Sequence, residues 1–103
     1  MSVAKELLNV GLLDTRVVLN ALTAAKNGDF SVRLPVDWTG VNGKIADTFN
    51  EVVSQNERIT KELERVSRAV GREGKLGQRA ALGNGAGGAW AQEIAAVNAL
   101  IDG

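Results

Sequence analysis

The chain has 103 residues, 12 basic and 12 acidic side chains and so no net charge; it holds no Cys, no His and no Tyr, and its only aromatics are Phe30, Trp38, Phe49 and Trp90. Without Cys or His there is no disulfide, thiolate ligand, cysteine nucleophile, usual general base or usual phosphoacceptor, and a neutral surface matches nucleic acid or anionic lipid poorly. No apolar run approaches the roughly 20 residues of a membrane span, and the opening residues, with Lys5 and Glu6, lack the apolar core of a signal peptide, so the expectation is a soluble, cytoplasmic, non-catalytic segment with no cofactor, no metal and no direct membrane contact.

Three segments rich in Ala, Leu, Glu, Lys and Arg read as helices, at residues 3–27, 44–70 and 89–102. The first carries Leu8, Leu12, Thr15, Leu19 and Leu22 at steps of 4, 3, 4 and 3, with a competing stripe through Val18, Leu22 and Ala25. A breaker region follows at 27–43, with Gly28, the single proline Pro35, Gly40 and Gly43. Within it Phe30, Leu34 and Val36 are expected to face the helices, and Asp29, Arg33 and Asp37 to face water.

The middle segment is the most regular. Ile45, Phe49, Val52, Asn56, Ile59, Leu63, Val66 and Val70 step 4, 3, 4, 3, 4, 3, 4. That is a heptad seam with Phe49, Asn56, Leu63 and Val70 at a and Ile45, Val52, Ile59 and Val66 at d. Its charges fall at b, c and f, Glu62 at g being the exception. The remaining e and g positions hold Ala46, Thr48, Val53, Gln55, Thr60, Ser67 and Ala69. Small uncharged residues there predict a wider buried stripe, hence more than two helices. A helix over 43–72 would be about 45 Å long. Asn56 at an a position reads first as a device that fixes register.

A second breaker region spans 71–88 with seven glycines. Its GxGxxG at residues 83–88 has neither the preceding strand nor the later acid of a dinucleotide site, and reads as a connector. The last segment places Trp90, Ile94, Val97 and Ile101 at steps of 4, 3 and 4. Trp38 and Trp90 are expected to anchor or cap helices.

The chain repeats itself. Residues 26–33 (KNGDFSVR) parallel 72–79 (REGKLGQR) at an offset of 46, and residues 48–52 (TFNEV) parallel 96–100 (AVNAL) at an offset of 48. Each unit is helix, Gly-x-apolar connector, then a helix with an apolar-Asn pair, and the middle helix serves both. A connector of about 15 residues can run back along a short helix and start the next one parallel to it. Two such helices cannot bury this stripe alone. The expected fold is therefore all-α: a homodimer that completes a parallel four-helix bundle, from two concatenated units sharing a continuous central helix.

Gly28-Asp29-Phe30, followed some 15 residues later by Gly43-Lys44-Ile45-Ala46-Asp47-Thr48-Phe49-Asn50, resembles the HAMP domain, the signal-relay module of bacterial histidine kinases, adenylyl cyclases and chemoreceptors. Two units fused through a shared helix resemble poly-HAMP arrays. Residues 27–35 and 62–68 are similar to the HAMP repeats of soluble hybrid histidine kinases. The resemblance implies a first unit at 12–57 and a second, divergent unit at 57–103. In the second, Lys75 stands where the first has Asp29, and Val97 where it has Phe49. The family's acidic residue before the second helix is replaced by Gly40-Val41-Asn42-Gly43.

The resemblance implies a relay of helix rotation or repacking between an input and a kinase output domain, with flanking HAMP units as partners. Leu19, Leu22, Ile45, Phe49, Val52, Asn56, Ile59, Leu63, Val66, Val70, Ile94 and Val97 would form the dimer core. Gly28, Asp29, Phe30, Leu34, Val36, Gly74 and Leu76 would form the connectors. The alternatives are a static parallel coiled-coil spacer, or the relay segment of a chemoreceptor or cyclase. Met1-Ser2-Val3 and the ending Asp102-Gly103 lead one to expect a piece of a longer chain.

Overall fold

The computed structural model describes residues 12–72, 74, 77–83 and 87–103. Every regular element among them is helical: α1 (Thr15–Lys26), α2 (Gly40–Ser67), a five-residue π-helical turn (Arg68–Arg72) and α3 (Gly88–Asp102). They fall into two compact units that divide between Ser54 and Gln55.

α1 starts at Thr15, because residues 12–14 interrupt the helix expected over 3–27; residues 3–11 of that expectation lie outside the described residues. Asp14 is its N-cap and accepts a hydrogen bond from the Val17 amide at 3.2 Å. Leu12 thus lies ahead of the helix and is exposed, and Leu8 is outside the described residues. The helix ends in a Schellman motif. The Asp29 amide donates to the Ala24 carbonyl and the Gly28 amide to the Ala25 carbonyl, both at 2.9 Å. This closure needs a left-handed residue, and Gly28 takes it with φ +90°. The glycine that opens the first connector is there for that turn.

α2 starts at Gly40, three residues ahead of the expected start. Its α-geometry ends at Ser67, and the last turn widens to a π-helix where Gly71 weakens the α preference. Gly43 is buried in the first turn, and a Cβ there would overlap the Trp38 carbonyl. Only glycine lets the end of the connector lie that close to the helix.

The core of unit 1 is Ala21 of α1, Leu34 of the connector and Ala46 of α2, with Val17, Val18, Val32, Trp38 and Phe49 packed against it. In the connector Leu34 is buried and Val32 packs against the same core, while Phe30, in the turn that follows α1, is half-buried. Val36 is 83% exposed, which corrects its inward assignment. Pro35 intervenes, and Trp38 is the next connector residue packed against that core. Unit 2 buries Ile59, Val66, Ala69 and Ala80.

The helix α2 therefore buries different heptad positions in its two parts. In unit 1 these are the e positions Ala46 and Val53; in unit 2 they are the g position Gln55 and the d positions Ile59 and Val66, continued by Ala69, at g, in the π-helical turn. Of the small residues predicted to widen the stripe, Ala46, Val53, Gln55 and Ala69 are buried within the single chain, whereas Thr48, Thr60 and Ser67 are exposed. Several large a and d residues, Ile45, Val52 and Leu63, remain exposed.

Candidate functional site

Each unit contains the same device. In unit 1 the Leu34 amide donates to Asn50 Oδ1 at 2.7 Å, and Asn50 Nδ2 donates back to the Leu34 carbonyl at 3.0 Å. In unit 2 the Ala80 amide donates to Asn98 Oδ1 at 2.7 Å, and Asn98 Nδ2 donates to the Ala80 carbonyl at 3.1 Å. A carboxamide carries one acceptor and one donor side by side, so it pairs with one residue's N–H and C=O as a neighbouring strand would. Both clamped residues are buried, Leu34 at 2% and Ala80 at 4% exposure.

The spacing matches as well. Gly28 to Leu34 and Gly74 to Ala80 are both six residues, and Gly40 to Asn50 and Gly88 to Asn98 are both ten. Only the span between the clamped residue and the next helix differs, by two residues. The repeat seen as an apolar-Asn pair thus has a physical basis: the asparagine buckles its connector to the second helix of the unit. Sequence reasoning found the repeat and left these asparagines without a role. Their recurrence at one place in both units was the available signal.

The surroundings of the two clamps differ. In unit 1 the connector turns on Asp29, whose Oδ1 accepts from the Ser31 amide at 3.0 Å and the Ser31 hydroxyl at 2.5 Å. Those bonds hold the exposed Asp29 carboxyl below its ordinary pKa, the hydroxyl contributing most. Arg33 Nη1 donates to the Phe30 and Val32 carbonyls, each at 2.7 Å.

In unit 2 a carboxylate and a guanidinium do the holding. Glu62 Oε2 accepts from the Ala81 amide at 2.6 Å. Arg65 Nε and Nη2 form a fork on Glu62 at 2.8 and 3.0 Å. Arg65 also donates to Gln78 Oε1 and to the Arg79 carbonyl, both at 2.8 Å. Arg79 in turn pairs with Asp102 of α3. Glu62, the one charge at a g position, thus has a specific task. Pattern analysis marked it as an exception and could not see the partner, which lies 19 residues away.

The Arg65 hydrogen bond holds the Glu62 carboxyl below its ordinary pKa; partial burial opposes this, and the Ala81 amide and the Arg65 charge reinforce it. A carboxyl lowered in the folded state stabilises fully above its unfolded value and loses that contribution as pH falls through the folded value. Thermal unfolding followed from pH 7 to pH 3 should therefore show wild type above the Glu62→Gln variant near neutrality. The gap should begin to close near the ordinary glutamate pKa of about 4.3 and vanish at lower pH. A gap that is constant across this range would contradict the assignment.

The other named positions divide clearly. Phe49 is half-buried against the unit 1 core, and Ile59 and Val66 are buried in unit 2. Asn56, Val70, Ile94 and Val97 are half-buried; Gly28, Asp29 and Gly74 are exposed connector residues. Leu76 lies outside the described residues. Leu19 and Leu22, one turn apart on α1, are 61% and 50% exposed, and Ile45 and Val52, two turns apart on α2, 38% and 43%. An open cleft of about 610 Å³ at the start of α1 is lined by Asp14, Arg16, Asp37, Trp38 and Asn42 among others. Among the described residues no group of acidic side chains could hold a metal ion, and no helix is long and apolar enough to cross a membrane. No protein-family model matches the chain, and no solved structure matches it.

Proposed function

We propose that the chain is a signal-relay module of the HAMP type that works as a parallel homodimer, passing helix rotation or repacking from an input to an output domain, by the resemblance that of a sensor histidine kinase. The observation that carries this reading is the exposed seam. Leu19, Leu22, Ile45 and Val52 in unit 1, and Leu63 in unit 2, are exposed in the single chain while the smaller residues beside them are buried. A row of large aliphatic residues in water at heptad spacing calls for another helix, and a second copy supplies two more. The duplicated clamp supports the division into two successive relay units.

In this reading Phe49, Asn56, Ile59, Val66 and Val70 lie at the bundle axis of α2 and the turn that follows it, Ile94 and Val97 extend the core along α3, and the asparagine clamps keep each connector on its helix while the bundle repacks. A relay requires two packings close in energy, since an input moves a population only by its differential free energy for the two. Asn56 helps to keep them close, because a polar layer costs stability in either packing.

Sedimentation equilibrium tests the assembly. The expected result is a helical species of twice 10.8 kDa and efficient disulfide crosslinking of a Val52→Cys variant. A helical monomer across the micromolar range would overturn the homodimer and, with it, the relay as described.

A further inference from the structure

The two connectors share a clamp and differ in what keeps them down around it. In unit 1 the clamped residue is Leu34, whose side chain is buried with Ala21 and Ala46. In unit 2 the equivalent residue is Ala80, which has one methyl group to bury. The apolar hold is correspondingly smaller. In its place Glu62 and Arg65, one turn apart on α2, grip residues 78, 79 and 81 of the connector. Arg58 and Lys61 line the same shallow groove beside Glu62, with Ala81 and Leu82. Arg79 adds its pair with Asp102. The ties that Glu62, Arg65 and Arg79 make between the described connector residues and the helices all use a charged side chain.

The charges are within reach of dissolved ions. The Arg65 side chain is 44% exposed and that of Glu62 15%. Ion pairs at such a surface weaken as salt shortens the screening length from about 10 Å at 0.1 M to about 3 Å at 1 M. Apolar burial has no such dependence, and excluded salts strengthen it. Salt should therefore act far more on one connector than on the other.

We infer that the second connector is an ionic-strength-sensitive latch, held on α2 by Glu62 and Arg65 and loosened by monovalent salt, whereas the first connector, whose clamped Leu34 is buried with Ala21 and Ala46, depends on salt far less. The inference concerns the hold on one segment and stands apart from the relay reading. If the chain does relay a signal, unit 2 is the part whose response depends on the ions around it.

The clamp itself supplies the measurement, because the Leu34 and Ala80 amides make equivalent bonds to equivalent asparagines. Hydrogen exchange of these two amides is followed by NMR on the full chain at pH 7, in 50 mM and in 1 M NaCl. The expected result is that protection of Ala80 falls about 3–5-fold, the scale of losing an exposed ion pair, while that of Leu34 changes little. In the Glu62→Gln variant Ala80 should already exchange faster at 50 mM and respond less to salt, the Arg79–Asp102 pair being left in place. Far-UV circular dichroism verifies that this variant keeps its helices, and the wild-type series stands as a test by itself. Equal responses of the two amides, no response of Ala80, or an undiminished salt response in Glu62→Gln would each overturn the latch.

Discussion

Replacing Asn50 by alanine is expected to cost unit 1 about 2–4 kcal/mol. The substitution removes two hydrogen bonds and leaves the Leu34 N–H and C=O without a partner at a residue that is 2% exposed, and an orphaned buried polar group costs about 1–3 kcal/mol. No other carboxamide can take over, because the clamp needs donor and acceptor on one side chain at one distance from the helix. Asn50→Asp keeps the acceptor and loses the donor, so its cost should also be substantial. Asn98→Ala should act in the same way on unit 2. Asn20, an exposed residue of α1, gives the comparison: its alanine variant should stay within about 0.5 kcal/mol of wild type. Chemical denaturation of the three alanine variants measures the difference. Asn50→Ala and Asn20→Ala unfolding together would remove the clamp from the account of what holds the connector.

The second large effect concerns the seam. The double variant Ile45→Glu, Val52→Glu should abolish self-association, weakening it at least a thousandfold, about 4 kcal/mol. Each dimer would bury four carboxylates around one axis, and an unpaired buried charge is among the most costly changes a packed interface can suffer. Both positions are exposed in the single chain, so the variant should keep the fold of its unit and sediment as a helical species of 10.8 kDa. Val36→Glu is the control. Val36 is a larger breach of the surface rule, at 83% exposure, but sits on the connector away from the heptad row, and its variant should associate as wild type does. Equal loss of association in both would mean that the chain aggregates through apolar surface in general and not through the seam.

The helical class and the central helix were legible because periodicity is a property of the chain itself. Apolar residues at alternating steps of 3 and 4 over 26 positions can lie on one face of one kind of element only. The small e and g residues were read as buried, which holds for Ala46, Val53, Gln55 and Ala69 and fails for Thr48, Thr60 and Ser67, which are exposed. Boundaries were less legible. The first helix was read as continuous through Leu12 and Thr15 because they keep the step, yet residues 12–14 are not helical and the Asp14 side chain caps the Val17 amide, so a helix starts at Thr15. Local hydrogen bonding outweighs periodicity at a helix end. Val36 was misplaced because the step of two from Leu34 was carried across Pro35 into a bend, where it does not hold.

The candidate site was legible in outline. Gly28 and the apolar-Asn pair were both picked out, but a side chain gripping a backbone 16 or 18 residues away leaves no periodic trace. Glu62 shows what a single sequence can offer in such a case: it flags the residue that breaks the rule, and the reason lies in a partner distant along the chain.

The equal spacings on either side of the two clamps have a consequence for how such chains change over time. The two units differ by two residues, and both fall between the buckled residue and the start of the following helix. Insertions there leave the distance from Gly28 or Gly74 to its buckle untouched, and leave Asn50 and Asn98 at the same turn of their helices. The cost is only the small entropy of a longer loop, about 0.6 kcal/mol even for a doubling. An insertion inside α2, by contrast, would rotate every later side chain by about 100°. Length can therefore drift in that one stretch while helical phase is kept, and copies with unequal connectors can follow one another in a single polypeptide.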